Sequence, residues 1–215
     1  MSRVSDAAPR YVPAAGRRAL TALYDPAMAL TMREGTWRPV FADQILHGLK
    51  PDGVVVDVGA GTGTLAARLA DLRPEADVIA IDGDPEVLAR AARKGVRCRE
   101  GLADALPLAD HSADRVVFSL LLHHLEPDGK RAALAEARRV LRAGGRVHVA
   151  DWGPPHDPLM RATFFGLQLL DGFANTRDHA AGRLPDLIAA AGFAGVAVGE
   201  RYRTVWGSLE LLTAT

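Results

Sequence analysis

The 215-residue sequence predicts a doubly wound α/β fold: a seven-stranded sheet, mostly parallel with one antiparallel strand, preceded by a helical cap. Three observations predict it. Strand-like and helix-like segments alternate from Val54 to Asp151. The strand segments are apolar almost throughout, as strands covered on both faces of a parallel sheet must be. The last two strand-like runs, GVAVGERYR and TVWGSLELLT, leave almost no link between them, so they can pair only as an antiparallel hairpin.

Composition permits one domain with a full core, since 48% of the residues are hydrophobic. Charge is balanced at 26 basic against 26 acidic residues, which argues against nucleic acid or an anionic membrane surface as the main partner. A single Cys98 excludes an internal disulfide and a multi-cysteine zinc site, and fits a reducing, cytoplasmic setting. The first twenty residues lack the apolar core of a signal peptide. The most apolar run, VVFSLLLHHL, is too short to span a bilayer.

Residues 1–49 read as the helical cap, a lid over the substrate and not an independent domain. From Gly16 to Leu49 the pattern is helical, and Pro26 and Pro39 divide it into two or three short helices. Tyr11, Tyr24, Arg33 and Trp37 lie in this segment, and packing on the sheet is the simpler role for each. Residues 50–215 form the main domain, opened by the turn KPDG. VVVDVG is a strand and TLAARLADL a helix; DVIAIDG is a strand and PEVLARAARKG a helix, with proline in its first turn and glycine past its end. Asp84 is the expected N-cap of that helix. VRCRE and DRVVFSL are strands, DGKRAALAEARRVLRAGG is a helix closed by Gly144 and Gly145, and RVHVAD is the next strand. Arg138, Arg139 and Arg142 read as the wet face of that helix. The segment from Trp152 to His179 should complete a pocket, and its Trp152, Phe164, Phe165 and Phe173 suggest an apolar, planar acceptor. LPDLIAAAGF is a last helix before the hairpin.

The chemistry starts at Gly59-Ala60-Gly61-Thr62-Gly63, where the first strand meets a helix. Glycines let the backbone turn tightly and let a ligand approach, and the first amides of the helix attract a negative group. The spacing is G-x-G-x-G, not the G-x-G-x-x-G of a dinucleotide site, and Asp57 stands two residues before it. An acid there repels a pyrophosphate and suits an amine. Asp82 ends the next strand at the distance where an acid meets ribose hydroxyls. A ribose joined to an amino-acid zwitterion describes S-adenosyl-L-methionine.

With these residues in order, Lys50 to Asp151 resembles a class I S-adenosylmethionine-dependent methyltransferase, and most closely the small-molecule branch that includes quinone-ring methyltransferases. VVVDVGAGTGTL resembles the first motif, VIAIDGDP the second, GLADALPL the third, and DRVVFSLLLHHL the fourth strand with its substrate-facing loop. The resemblance implies a Rossmann-like sheet and a cofactor held by Asp57, Gly59, Ala60, Gly61, Gly63, Asp82 and Gly83. It further implies Asp104 on the adenine amino group, a backbone amide from Ala105, and Ser119 and Leu120 along the methionine. Methyl transfer from a sulfonium is mainly positioning. An acceptor that keeps its proton needs a base, for which His124 and then His123 are the candidates. No metal is expected, because no third ligand follows the histidine pair at a usual spacing. Other readings stay open: a nucleoside-binding protein without chemistry, a NAD-type oxidoreductase, and a methyltransferase of RNA or protein, for which no basic stripe speaks.

Overall fold

The computed structural model describes residues 31–215. Its strands are β1 Val54–Val58, β2 Asp77–Asp82, β3 Arg97–Glu100, β4 Ala113–Ser119, β5 Leu141–Gly153, β6 Ala197–Arg203 and β7 Ser208–Ala214. They form one sheet in the order β3-β2-β1-β4-β5-β7-β6. β1 to β5 pair in parallel, while β7 runs against both of its neighbours, β5 and β6. The hairpin and the single reversed strand are therefore as the sequence predicts. The strand order reverses between β1 and β4, which opens a crevice at their carboxyl ends.

Seven helices accompany the sheet among the described residues: α1 Glu34–Leu46, α2 Thr64–Leu72, α3 Pro85–Ala92, α4 Pro127–Val140, α5 Pro158–Asp171, α6 Phe173–Ala180 and α7 Leu184–Ala190. A 3-10 turn, Leu122–His124, follows β4. The two-residue period of the strands divides the core. Val55, Val117 and Ala150 pack with Trp37, Phe41 and Ile45 of α1 and Leu65 and Leu69 of α2. On the other face Val56, Val58, Val116, Phe118 and Val149 pack with Leu134 and Ala137 of α4 and Ile188 of α7.

Three expectations change. α1 runs through Pro39 instead of stopping there. Proline removes one helical bond, to Gly35, but Gly35 is exposed and its carbonyl can be hydrated. Against that loss stand Trp37, Phe41 and Ile45, all fully buried, each worth about 1.5–3 kcal/mol. Residues 34–46 thus pack as part of the core wall; the rest of the expected cap, with Tyr11, Tyr24 and Pro26, lies outside the described residues. Trp37 packs on the sheet, its Nε1 donating to the Met32 carbonyl at 3.1 Å.

α4 ends at Val140, five residues before Gly145, because Leu141 turns extended and pairs with Ala113. β5 accordingly starts earlier and reaches Gly153. Arg138 and Arg142 are exposed, but Arg139 is half-buried and not part of a solvated face. Arg139 donates to Glu136 and Asp110 and to the carbonyls of Leu106 and Leu108, clamping the loop after β3 onto α4. Arg142 pairs with Asp114 at 2.5 Å. On α4 the buried Lys130 donates to the Asn175 carbonyl and lies 3.5 Å from Asp178, tying α4 to α6.

Candidate active site

β1 delivers the glycine loop to the crevice. Gly59, Gly61 and Gly63 all have left-handed φ, +68°, +54° and +71°, which costs an L side chain about 1–2 kcal/mol. A Cβ on Gly59 would meet Leu121 Cδ1 at 2.6 Å, and one on Gly63 would meet the Ala91 methyl at 2.5 Å. Those two glycines serve the packing of the loop. Gly61 is different, because nothing lies within 4 Å of where its Cβ would stand. The amides of Gly59 and Ala60 are spent on the Ile81 carbonyl, at 2.8 and 3.0 Å, and bind the loop to β2.

Asp57 is 1% exposed, and neither carboxylate oxygen has a hydrogen-bond partner among the described residues. Burial pushes its pKa up to about 7; the Arg38 charge opposes this and the Asp82 charge adds to it. Asp82 takes the Gly61 amide on one oxygen at 2.8 Å and the Asp84 amide on the other at 3.0 Å. Each oxygen keeps a second lone pair for a hydroxyl. Gly83 leads from Asp82 to Asp84, whose side chain accepts from the Glu86 amide and caps α3 as expected. Asp104 is half-buried at the turn after β3. The Ala105 amide departs from expectation: it already donates to the Leu102 carbonyl at 3.1 Å, because the turn closes on itself there.

β4 brings Ser119 beside Ala150 of β5, and Leu120 then takes φ +55°, a rare conformation for a leucine. That twist starts the 3-10 turn that carries the histidines. His123 is buried, with Nδ1 2.7 Å from Asp151 Oδ1 and its own amide 3.3 Å from Oδ2. His179 Nε2 lies 3.6 Å from the same Asp151 oxygen. Burial pushes the Asp151 carboxyl upward, but the charges and hydrogen bonds of His123 and His179 outweigh it and hold the group well below the usual carboxylate range. The His124 ring lies against that of His123, centroids 4.0 Å apart and tilted by 44°. Burial, helped by the neighbouring His123 charge, drives the His124 pKa down to about 3. Asp171, at the end of α5, lies 3.6 Å from His124 Nδ1 and 3.9 Å from His123 Nε2.

The structure thus gathers the glycine loop, Asp57 and Asp82 at one rim, and the histidine pair at another, linked where Leu121 packs on Gly59. It also supplies a third ligand-type group to the histidines, Asp171, which the sequence reading excluded because it looked only at near spacing. Asp151 and His179 were missed as well. A signal for Asp151 existed: Asp151-Trp152-Gly153 ends its strand with the same acid-x-glycine pattern as Asp57-Val58-Gly59. The aromatic pocket needs correction. Trp152 and Phe164 are buried in the core, 2% and 1% exposed, and only Phe165 and Phe173 face outward. A surface hollow of about 490 Å³ beside Phe165 is lined by His156, Asp157, Pro158 and Arg161, and includes none of the site residues above.

With this geometry in view, the relatives are informative. Residues 55–145 match the family described as Methyltransferase domain. The chain is 38% identical over 114 residues to an uncharacterized methyltransferase of Mycobacterium tuberculosis, covering 51% of this chain and 45% of that protein. It is 37% identical over 135 residues to a demethylmenaquinone methyltransferase of Beutenbergia cavernae, covering 61% and 54%. It is 34% identical over 149 residues to a malonyl-[acyl-carrier protein] O-methyltransferase of Dechloromonas aromatica, covering 66% and 52%. The chain spans about half the length of these curated relatives. Among solved structures, a SAM-dependent methyltransferase of Thermotoga maritima superposes with a TM-score of 0.68 at 22% identity, over 91% of this chain and 95% of that one. One from Methanosarcina mazei gives 0.65 at 20% identity, over 79% and 95%. Residues 55–145 thus match the methyltransferase-domain family, and the chain shares the fold of solved S-adenosylmethionine-dependent methyltransferases.

Proposed function

We propose that the protein methylates a small-molecule acceptor with S-adenosyl-L-methionine. The observation that carries this reading is Asp57, a buried carboxylate with no hydrogen-bond partner among the described residues, beside a glycine loop that is open above Gly61. A bound ammonium group would satisfy the first and a backbone-hugging ligand the second, so the residues fit the cofactor. When bound, it supplies an electrophilic methyl group on a sulfonium. Asp57 would hold the ammonium side, Gly59 to Gly63 the methionine backbone, and Asp82 the ribose hydroxyls through its remaining lone pairs. Asp104 would take the adenine amino group, and Ser119 and Leu120 would border the methionine chain. The chain's own work is then to align an acceptor in the crevice for in-line displacement. Where the nucleophile carries a proton, the His123–His124 cluster is the group placed to deal with it. His123 is the better oriented of the two, since Asp151 holds its Nδ1 at 2.7 Å and leaves Nε2 to face an acceptor's proton.

The demethylmenaquinone and malonyl-carrier relatives support a small acceptor, and the exposed Phe165 and Phe173 support an apolar one. No helix of the described residues is long and apolar enough to cross a membrane; we place the protein in the cytoplasm. We read residues 50–215 as the methyltransferase domain and the segment before them as its cover.

S-adenosylhomocysteine at 100 times its dissociation constant should stabilise the protein by about 2.7 kcal/mol, a melting shift of about 5–10 °C at this size. Asp82→Ala should weaken that binding at least about tenfold, having removed charged hydrogen bonds worth about 1.5–3 kcal/mol each. A shift with NAD and none with S-adenosylhomocysteine overturns the reading. Formation of S-adenosylhomocysteine together with a labelled methylated product from an acceptor library separates catalysis from binding alone.

A further inference from the structure

We propose that His123, His124 and Asp171 form a binding site for a divalent first-row transition ion, with Zn²⁺ as the best-matched occupant. Two imidazoles and one carboxylate are the donor set such ions take, and three protein ligands leave a further position open. The ligand atoms all lie within 4.8 Å of one another. Asp171 stands 3.9 Å from His123 Nε2 and 3.6 Å from His124 Nδ1. These separations are too long for hydrogen bonds. The first distance is to Oδ2 and the second to Oδ1. Ligands sharing one tetrahedral ion at about 2.1 Å stand ~3.4 Å apart, so the donors would draw together by up to about an ångström around the ion.

The surroundings hold the donors in place. Asp151 can only accept, so it takes the Nδ1 hydrogen of His123 at 2.7 Å and leaves the Nε2 lone pair toward Asp171. A carboxylate behind a histidine in this way is the usual support of a metal ligand. Asn175 Nδ2 donates to the His124 carbonyl at 3.1 Å and to the Asp171 carbonyl at 3.0 Å, so one side chain fastens both ligand-bearing segments. Among the described residues the Asp171 carboxylate accepts no hydrogen bond that would compete for it. The site stands whether or not the chain transfers methyl groups. An ion there would occupy the Nε2 lone pair of His123, so a metal-loaded chain would not use His123 as a base.

The test is titration of the metal-stripped chain with Zn²⁺ by calorimetry and with Co²⁺ by visible absorption. One equivalent should bind at micromolar affinity or tighter, with a ligand-field band from Co²⁺. Asp171→Asn and His124→Gln should each weaken binding at least tenfold, while His156→Gln, outside the cluster, should not. Circular dichroism checks each fold, and the more exposed His124→Gln serves if Asp171→Asn fails to fold. Absence of stoichiometric binding overturns the site, as does binding that both variants leave unchanged. The S-adenosylhomocysteine shift on the same samples keeps the outcomes apart: ligand binding without metal binding sinks this proposal alone.

Discussion

Asp57 and Asp151 are equally buried and meet opposite fates on opposite faces of the sheet. Asp57, next to last in β1, points by alternation to the face of α1 and α2, whereas Asp151 of β5 points to the face of α4. Asp151 receives His123 Nδ1 and the amides of His123 and Trp152, and its carboxyl stays well below the usual range. Among the described residues Asp57 has no hydrogen-bond partner, only a weak interaction with the Ala66 amide, and burial lifts it to about 7. Burial does not by itself decide whether an acid is charged; the supply of donors does. The acid without a supply is the one whose partner must arrive from outside, and it stands beside the glycine loop.

The sharpest way to break this contrast is Asp151→Ala. It strands the donors around it in the core, and the loss should be about 3–5 kcal/mol in urea unfolding. A loss under about 1 kcal/mol would mean that Asp151 is no better supplied than Asp57. A second test uses pH. The folded-state pKa of Asp57 is raised from 3.8 to about 7, so the unfolded chain gives up this proton first. Stability then falls as pH climbs from about 4 to 7 and is flat in this respect above that, a penalty on the order of 4 kcal/mol. Asp57→Asn should remove that slope and be the more stable protein at pH 8. Binding of an ammonium-bearing ligand should instead tighten as pH rises through about 7, because the ligand favours the ionised acid. Calorimetry across that range that finds flat affinity would break the link between Asp57 and the amine.

The last test divides the glycines. Gly63→Ala combines the left-handed φ with a 2.5 Å approach to Ala91, and should cost about 2–5 kcal/mol. Gly61→Ala meets open space and should cost only about 1–2 kcal/mol, yet abolish most S-adenosylhomocysteine binding by filling the ligand's place. Equal losses of stability in the two would remove the distinction between packing glycine and ligand glycine.

The parts of the site readable from the chain are those built by neighbours in sequence. The loop from Asp57 to Gly63, the cap at Asp84 and the acid at Asp82 each sit at a strand end, where position along the chain implies position in space. The misreadings share a different cause. Pro39 inside α1, the early end of α4 at Val140, and the clamp made by Arg139 all depend on surfaces that meet only after folding. The same holds for Trp152 and Phe164, whose burial comes from the β7 hairpin and α5 closing over them.

Local pattern determined the alternation of strands and helices, the reversed last strand and the glycine loop with its two acids. Each follows from steric limits and periodicities that act over a few residues. Tertiary structure alone decided which acid kept donors and which went without, and it alone drew Asp171 to the histidine pair. Donors and charges act through space at a few ångströms, and the sheet brings together at that range residues that the chain holds far apart.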